Sequence, residues 1–141
     1  MTRLFIFLFL VCAVGCHQTP HQGTAVAPDP ELRRLTAALD AADTQTDMNL
    51  ASKQIADFWD AKLGILEKQI SQKLDGEERK RFSDSKERWH SYRAQEVRFR
   101  SSFFDGGSIQ PLMANMSYSE ITEHRVDEME SFFADALKGR Q

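Results

Sequence analysis

Between Asp47 and Leu74, apolar residues fall at Met48, Ala51, Ile55, Trp59, Leu63, Leu66, Ile70 and Leu74, in steps of three and four. That spacing lines them along one side of a long helix. Thr44 or Thr46 supplies an N-cap oxygen, and Asp75-Gly76 supplies a stop, since glycine takes the left-handed conformation that ends many helices. A second long helix follows, with Phe82, Trp89, Tyr92, Glu96, Phe99 and Phe103 near one face. The run Glu78-Arg79-Lys80-Arg81 reads as part of its solvated side. So short a connection makes the two helices an antiparallel hairpin. Asp105-Gly106-Gly107-Ser108 breaks the period. A C-terminal helix is predicted over 119–137, with Ile121, Met129, Phe132, Phe133, Ala136 and Leu137 inward. A short one is predicted over 30–41, where Pro30 suits a first turn and Leu32, Leu35 and Leu39 align. Isolated helices of this size are marginal in water, so they must pack together. The expected class is all-α, a small antiparallel bundle with few buried polar groups.

The N-terminal pattern differs. One positive charge at Arg3 precedes an apolar run from Leu4 to Val14, then Gly15 and Cys16, the order of a secretory signal. The run falls short of the ~20 apolar residues a membrane span needs. Ala13-Val14-Gly15-Cys16 resembles the lipobox of bacterial lipoproteins, with a smaller residue than usual three before the cysteine. The resemblance implies a diacylglyceryl group on the Cys16 thiol, cleavage before Cys16, and acylation of the new amine. One acyl chain binds membranes only weakly, whereas several give a lasting anchor. The alternative is an ordinary cleaved signal that ends in a chance cysteine. Residues 17–30, "HQTPHQGTAVAPDP", carry three prolines and a glycine without hydrophobic period and read as a tether. The chain thus divides into a signal peptide (1–15), a lipidated cysteine with tether (16–30), and a helical domain (31–139). Cys12 leaves with the signal, and no other cysteine exists to complete a metal or redox set with Cys16. His17 is not the aspartate that retains lipoproteins at the inner membrane of enteric-type bacteria. The expected location is therefore the outer membrane, facing the periplasm.

Loss of residues 1–15 removes Arg3 and no acid, leaving 17 Lys and Arg against 21 Asp and Glu. This acidity disfavours a nucleic-acid partner and suits a basic protein, through steering more than affinity.

Several pieces of the domain together resemble the LprI family of lysozyme inhibitors, small secreted or lipid-anchored bacterial proteins. They are "TQTDMN" at 44–49, Asp60 and Leu63 in "WDAKL", Trp89, Tyr92 and Arg93 in "WHSYR", "DGGS" at 105–108, and Thr122 and Arg125 in "TEHR". The likeness runs from Leu39 to about Phe133. It implies four cysteine positions, which here hold the apolar residues Leu39, Ala51, Val97 and Met116. Two disulfides are each worth about 2 to 4 kcal/mol in a small secreted domain, and buried Leu, Val or Met side chains offset much of that. The family's "LN..Y" is Leu63-Gly64 and Glu67 here, and its usual Gln before the tryptophan is Lys86.

Trp89, Tyr92 and Arg93 lie within about one helical turn. They either grip a partner or hold the fold, with Trp89 in the core and Arg93 paired to an acid such as Asp60; the second reading is preferred. The loop Asp105, Gly106, Gly107 and Ser108 is either a plain chain reversal or a contact loop whose glycines expose backbone amides. It is the leading contact candidate, with Arg98 and Arg100 as neighbouring cations. Glu120, His124 and Glu128 stand at i, i+4 and i+8, but such spacing is common by chance and reads as a solvated face. No nucleotide loop, serine elbow or zinc pair is present, and no cofactor, metal or catalytic residue is assigned. The resemblance implies a lipid-anchored envelope protein, not an enzyme, that binds and inhibits a lysozyme-type muramidase. The alternative is a structural or adaptor lipoprotein of the envelope without that effect.

Overall fold

The computed structural model describes residues 29–136 and shows four helices: α1 (Pro30–Asp40), α2 (Gln45–Lys73), α3 (Gly76–Ser102) and α4 (Gln110–Ala136). The signal and lipidation site at 1–16, the tether up to 28, Leu137, and the side chains of Phe132 and Ala136 lie outside the described residues. Among the described residues there is no strand, and no helix is long and apolar enough to cross a membrane.

Local chemistry sets the helix ends. The Asp29 carboxylate accepts from the Glu31 amide at 2.8 Å, and Pro30 opens α1. At the start of α2, Thr44 rather than Thr46 is the cap, its hydroxyl accepting from the Asp47 amide at 3.1 Å. The expected glycine stop at Asp75-Gly76 is corrected. Leu74 ends α2 in extended backbone, and Gly76 is already the first residue of α3. Asp75 caps that helix instead: its carboxylate accepts from the Glu78 amide at 2.8 Å, and the Glu78 carboxylate accepts from the Asp75 amide at 3.1 Å. Arg79 donates to the Ser71 and Leu74 carbonyls at 3.1 and 2.8 Å. The 78–81 run is therefore only partly a solvated face, because two of its members close the junction between helices.

α4 begins nine residues before the expected Ser119. Its first turns turn polar atoms inward, which hides the hydrophobic period. Asn115 Nδ2 donates to the Asn49 carbonyl at 3.3 Å and to Ser52 Oγ at 3.1 Å, while Ser117 and Ser119 are buried.

α4 is the central element, packed against both α2 and α3, with α1 laid on α2. The contacts Asn49–Asn115 and Lys62–Glu130 show that α2 and α4 run parallel, and α3 runs antiparallel to both. The core gathers Trp59, Leu63 and Ile70 from α2, Phe82 from α3, and Val126 and Met129 from α4. Burial of each such side chain is worth about 1.5 to 3 kcal/mol. Phe82 meets Phe133 edge to face, with ring centroids 6.1 Å apart.

Two expectations fail here. Buried polar groups are not few: Ser52, Glu67, Arg93, Ser101, Ser117, Ser119 and Thr122 are all inside. On α3 and at its C-cap, Tyr92, Phe99 and Phe103 are 52%, 60% and 72% exposed. The buried side of that helix instead follows Phe82, Arg93 and Ser101, so Tyr92, Phe99 and Phe103 flank the packed seam and face solvent.

Candidate functional site

The three long helices meet at Arg93. From α3 its Nη1 donates to Asp60 Oδ1 on α2 and to Thr122 Oγ1 on α4, each at 2.9 Å, and its Nη2 lies 3.0 Å from Nδ1 of His90. The guanidinium stacks on the Tyr118 ring at 4.0 Å and on the Trp89 ring at 4.8 Å. Arg125 covers Trp89 as well, at 5.7 Å. Thr122 is wholly buried and donates to the Tyr118 carbonyl at 2.6 Å. The Tyr118 hydroxyl closes the ring of contacts by donating to Asp60 Oδ1. Among the described residues no buried side-chain nitrogen or oxygen lacks a hydrogen-bond partner.

This wiring sets the proton affinities. Burial alone raises the Asp60 carboxyl, but the hydrogen bonds from Tyr118 and Arg93 outweigh it and hold the group below its ordinary value. Burial, then the hydrogen bond to Asp60, pushes the Tyr118 phenol up to about 12.

Of the residues singled out in the sequence, the structure brings Asp60, Trp89, Arg93, Thr122 and Arg125 into this junction, with Leu63 buried in the adjoining core. It leaves Tyr92 outside, on the exposed stripe. Tyr118 and His90 belong to the junction and went unassigned. The signal for Tyr118 was an aromatic residue one turn before Thr122; His90 had none beyond its place between Trp89 and Arg93.

One turn further along, Glu67 is buried on α2 and takes a 2.8 Å ion pair from Lys86 on α3, with His90 Nε2 at 3.4 Å. Glu67 and Lys86 are two of the positions that the sequence resemblance marks as departures. The two departures face each other, so a charge pair joins α2 to α3 at this level.

The loop of 103–109 caps the far end. Gly106 holds φ +76°, a conformation that side chains disfavour. Gly107 donates its amide to the Phe104 carbonyl at 3.0 Å, and a Cβ at Gly107 would come within 3.2 Å of that oxygen. Gln110 Nε2 donates to the Asp105 carboxylate at 2.6 Å, and Asn49 Nδ2 donates to the Ser108 carbonyl at 3.1 Å. Two of the matching sequence pieces, 44–49 and 105–108, are thereby fastened together. Phe99 and Phe103, edge to face at 5.3 Å, and Ile109 stand exposed beside the loop. Arg98 is exposed on the last turns of α3. Arg100 is engaged, its guanidinium bridging Glu96 at 2.9 Å and Glu120 at 3.0 Å.

Of the four positions read as replaced cysteines, Ala51 is buried and Val97 half-buried, while Leu39 and Met116 line one groove between α1, α2 and α4. Among the described residues no group of three His, Cys, Asp or Glu could hold a metal ion, and Glu120, His124 and Glu128 form no such set.

Comparison with curated proteins gives no match, and neither does comparison with solved structures. The family model described as "Lysozyme inhibitor LprI" matches residues 36–129, from the middle of α1 to the seventh residue before the end of α4. That span holds every residue of the junction and the whole of the loop, and the chain belongs to the LprI lysozyme inhibitor family.

Proposed function

We propose that this protein is a lipid-anchored envelope protein that binds and inhibits a lysozyme-type muramidase, held through Cys16 at the outer membrane and facing the periplasm. The family match over 36–129 carries the reading. The lipobox-like stretch before Cys16 supports the anchor, and the excess of acids over bases suits a basic partner.

The loop end is the contact. A docking loop works best when its conformation is set beforehand, because ordering on binding costs affinity. Here the ties from Asn49 and Gln110 fix the loop, Gly106 turns its tip, and Phe103 and Ile109 supply apolar surface beside the Asp105 carboxylate. Arg98 is an exposed cation at this end, whereas Arg100 is shared between two carboxylates. Inserted into the acidic cleft of a muramidase, this end blocks substrate while the acidic body speeds encounter.

Titration of the purified protein into a cell-wall lysis assay tests the reading. Lysis should fall to a plateau near equimolar protein; undiminished lysis at a large molar excess would overturn it. For the anchor, labelled palmitate should enter the wild-type protein in its host and not Cys16→Ala.

A further inference from the structure

The groove between α1, α2 and α4 has a volume of about 330 Å³. Its lining is apolar at Leu39, Ile55 and Trp59, with Met116 at the mouth and Glu120 and Glu123 on the rim. Met116 is 48% exposed, which leaves the groove open at the surface. The hydroxyls in its wall spend their protons within the helices: Thr36, Ser52 and Ser119 donate to the Leu32, Asn49 and Asn115 carbonyls. A visitor thus meets hydrocarbon and acceptor oxygens, with carboxylate above.

Glu123 receives no hydrogen bond or ion pair among the described residues; the Asp127 and Glu120 charges act against its ionised form, and those of His124 and Lys62 act for it. Glu123 is exposed at the rim, where partial burial, and then the Asp127 charge, raise its carboxyl above the ordinary value, and a cation seated beside it would favour the ionised form. Lysine and arginine are the side chains that match both parts, because their methylene stems lie on apolar surface while the charged head stays at the rim.

We propose that this groove receives a lysine or arginine side chain from a basic protein partner, with the stem against Trp59, Ile55, Leu39 and Met116 and the head paired to Glu123. The proposal rests on the reading of the protein as a binder of a basic muramidase, and it adds a second contact distinct from the loop end. Glu120, already bound to Arg100, gives the head a secondary carboxylate.

Two variants and one titration test it. Glu123→Gln keeps the shape and removes the charge; Met116→Lys places the chain's own cation at the mouth. Both positions are exposed, so both variants should keep the wild-type circular dichroism and melting temperature. With a basic animal-type lysozyme, Glu123→Gln should weaken the complex roughly fivefold and Met116→Lys by more, both less so at high salt. Wild-type affinity in both folded variants overturns the groove and leaves the inhibitor reading standing. Should wild-type protein bind no lysozyme at all, an acetylated and amidated Gly-Arg-Gly peptide provides the separate test. The peptide should shift the indole N–H resonance of Trp59 and not that of Trp89, and Glu123→Gln should suppress the shift. Equal or absent movement of the two indoles overturns the proposal.

Discussion

Arg93 on α3 and Asp60 on α2 are joined at 2.9 Å, yet only the arginine is buried: its side chain is 8% exposed against 50% for the aspartate. The pair is therefore lopsided. Asp60 can fall back on water, whereas Arg93 depends on the protein for every partner, and Thr122, His90, Trp89 and Tyr118 are arranged around it accordingly.

Loss of Arg93 should thus cost more than loss of Asp60. Arg93→Ala is expected to destabilise the fold by about 3 kcal/mol, because stacking and three hydrogen bonds vanish together. Arg93→Lys should recover little, since one ammonium cannot span Asp60, Thr122 and two ring faces. Urea unfolding followed by circular dichroism measures both.

Asp60 and Tyr118 make the junction sensitive to both extremes of pH. The folded-state Asp60 carboxyl lies below its ordinary value, so its stabilising share is present above the unfolded value of about 4 and is lost as pH falls through the folded one. The Tyr118 phenol is raised to about 12, so its share is present below the ordinary value of 10.0 and is lost as pH rises toward 12. Asp60→Asn should flatten the acid limb of a urea-midpoint profile. Tyr118→Phe should flatten the alkaline limb and remove the late phase of tyrosinate absorbance.

Glu67 and Lys86 should behave as one unit. Lys86→Gln leaves a buried carboxylate with only His90 nearby and is expected to cost about 2 kcal/mol. Glu67→Tyr alone strands less charge, because Lys86 is half-exposed. The double variant, which removes both charges, should be clearly more stable than the sum of the singles predicts; additive free energies in the cycle would refute the coupling.

At the loop end, Gly106→Ala should cost about 1 kcal/mol, the penalty of a side chain at positive φ. Asn49→Ala should cost a similar ~1 kcal/mol by releasing the Ser108 carbonyl. Both should weaken lysozyme inhibition more than they lower the melting temperature, whereas Asp75→Ala, which loses the capping box at the other end, should lower stability by ~1 kcal/mol and leave inhibition intact.

Reducing agent should leave the melting temperature unchanged. The described residues contain no cysteine, and the two in the chain are Cys12 and Cys16. A large drop in a thermal scan with dithiothreitol would refute this.

Periodicity made the helices legible where apolar residues pack, as from Met48 to Ile70, and failed where polar residues do. Asn115, Ser117 and Ser119 concealed the first turns of α4, and Arg93 and Ser101 concealed the buried side of α3. Tyr92, Phe99 and Phe103 share a face by spacing alone, but spacing does not say whether a neighbouring helix covers that face. Of the junction, the Arg93–Asp60 pair was readable from residue types on adjacent helices. Tyr118 was not, because its role depends on α4 starting early enough to carry it past Asp60.

The parallel alignment of α2 and α4 has a consequence for how the chain acquires its structure. Helices joined in a hairpin can dock as soon as both exist, but the partner of Asn49 lies 66 residues away at Asn115, and that of Asp60 lies 58 away at Tyr118. Contacts this remote close slowly for a helical protein. As a ribosome delivers the chain, α1, α2 and α3 emerge with the seam that α4 will fill still open, and Leu63, Trp59 and Phe82 remain without Val126 and Met129. α4 is the keystone: until it arrives, the faces that α2 and α3 turn toward it stay open.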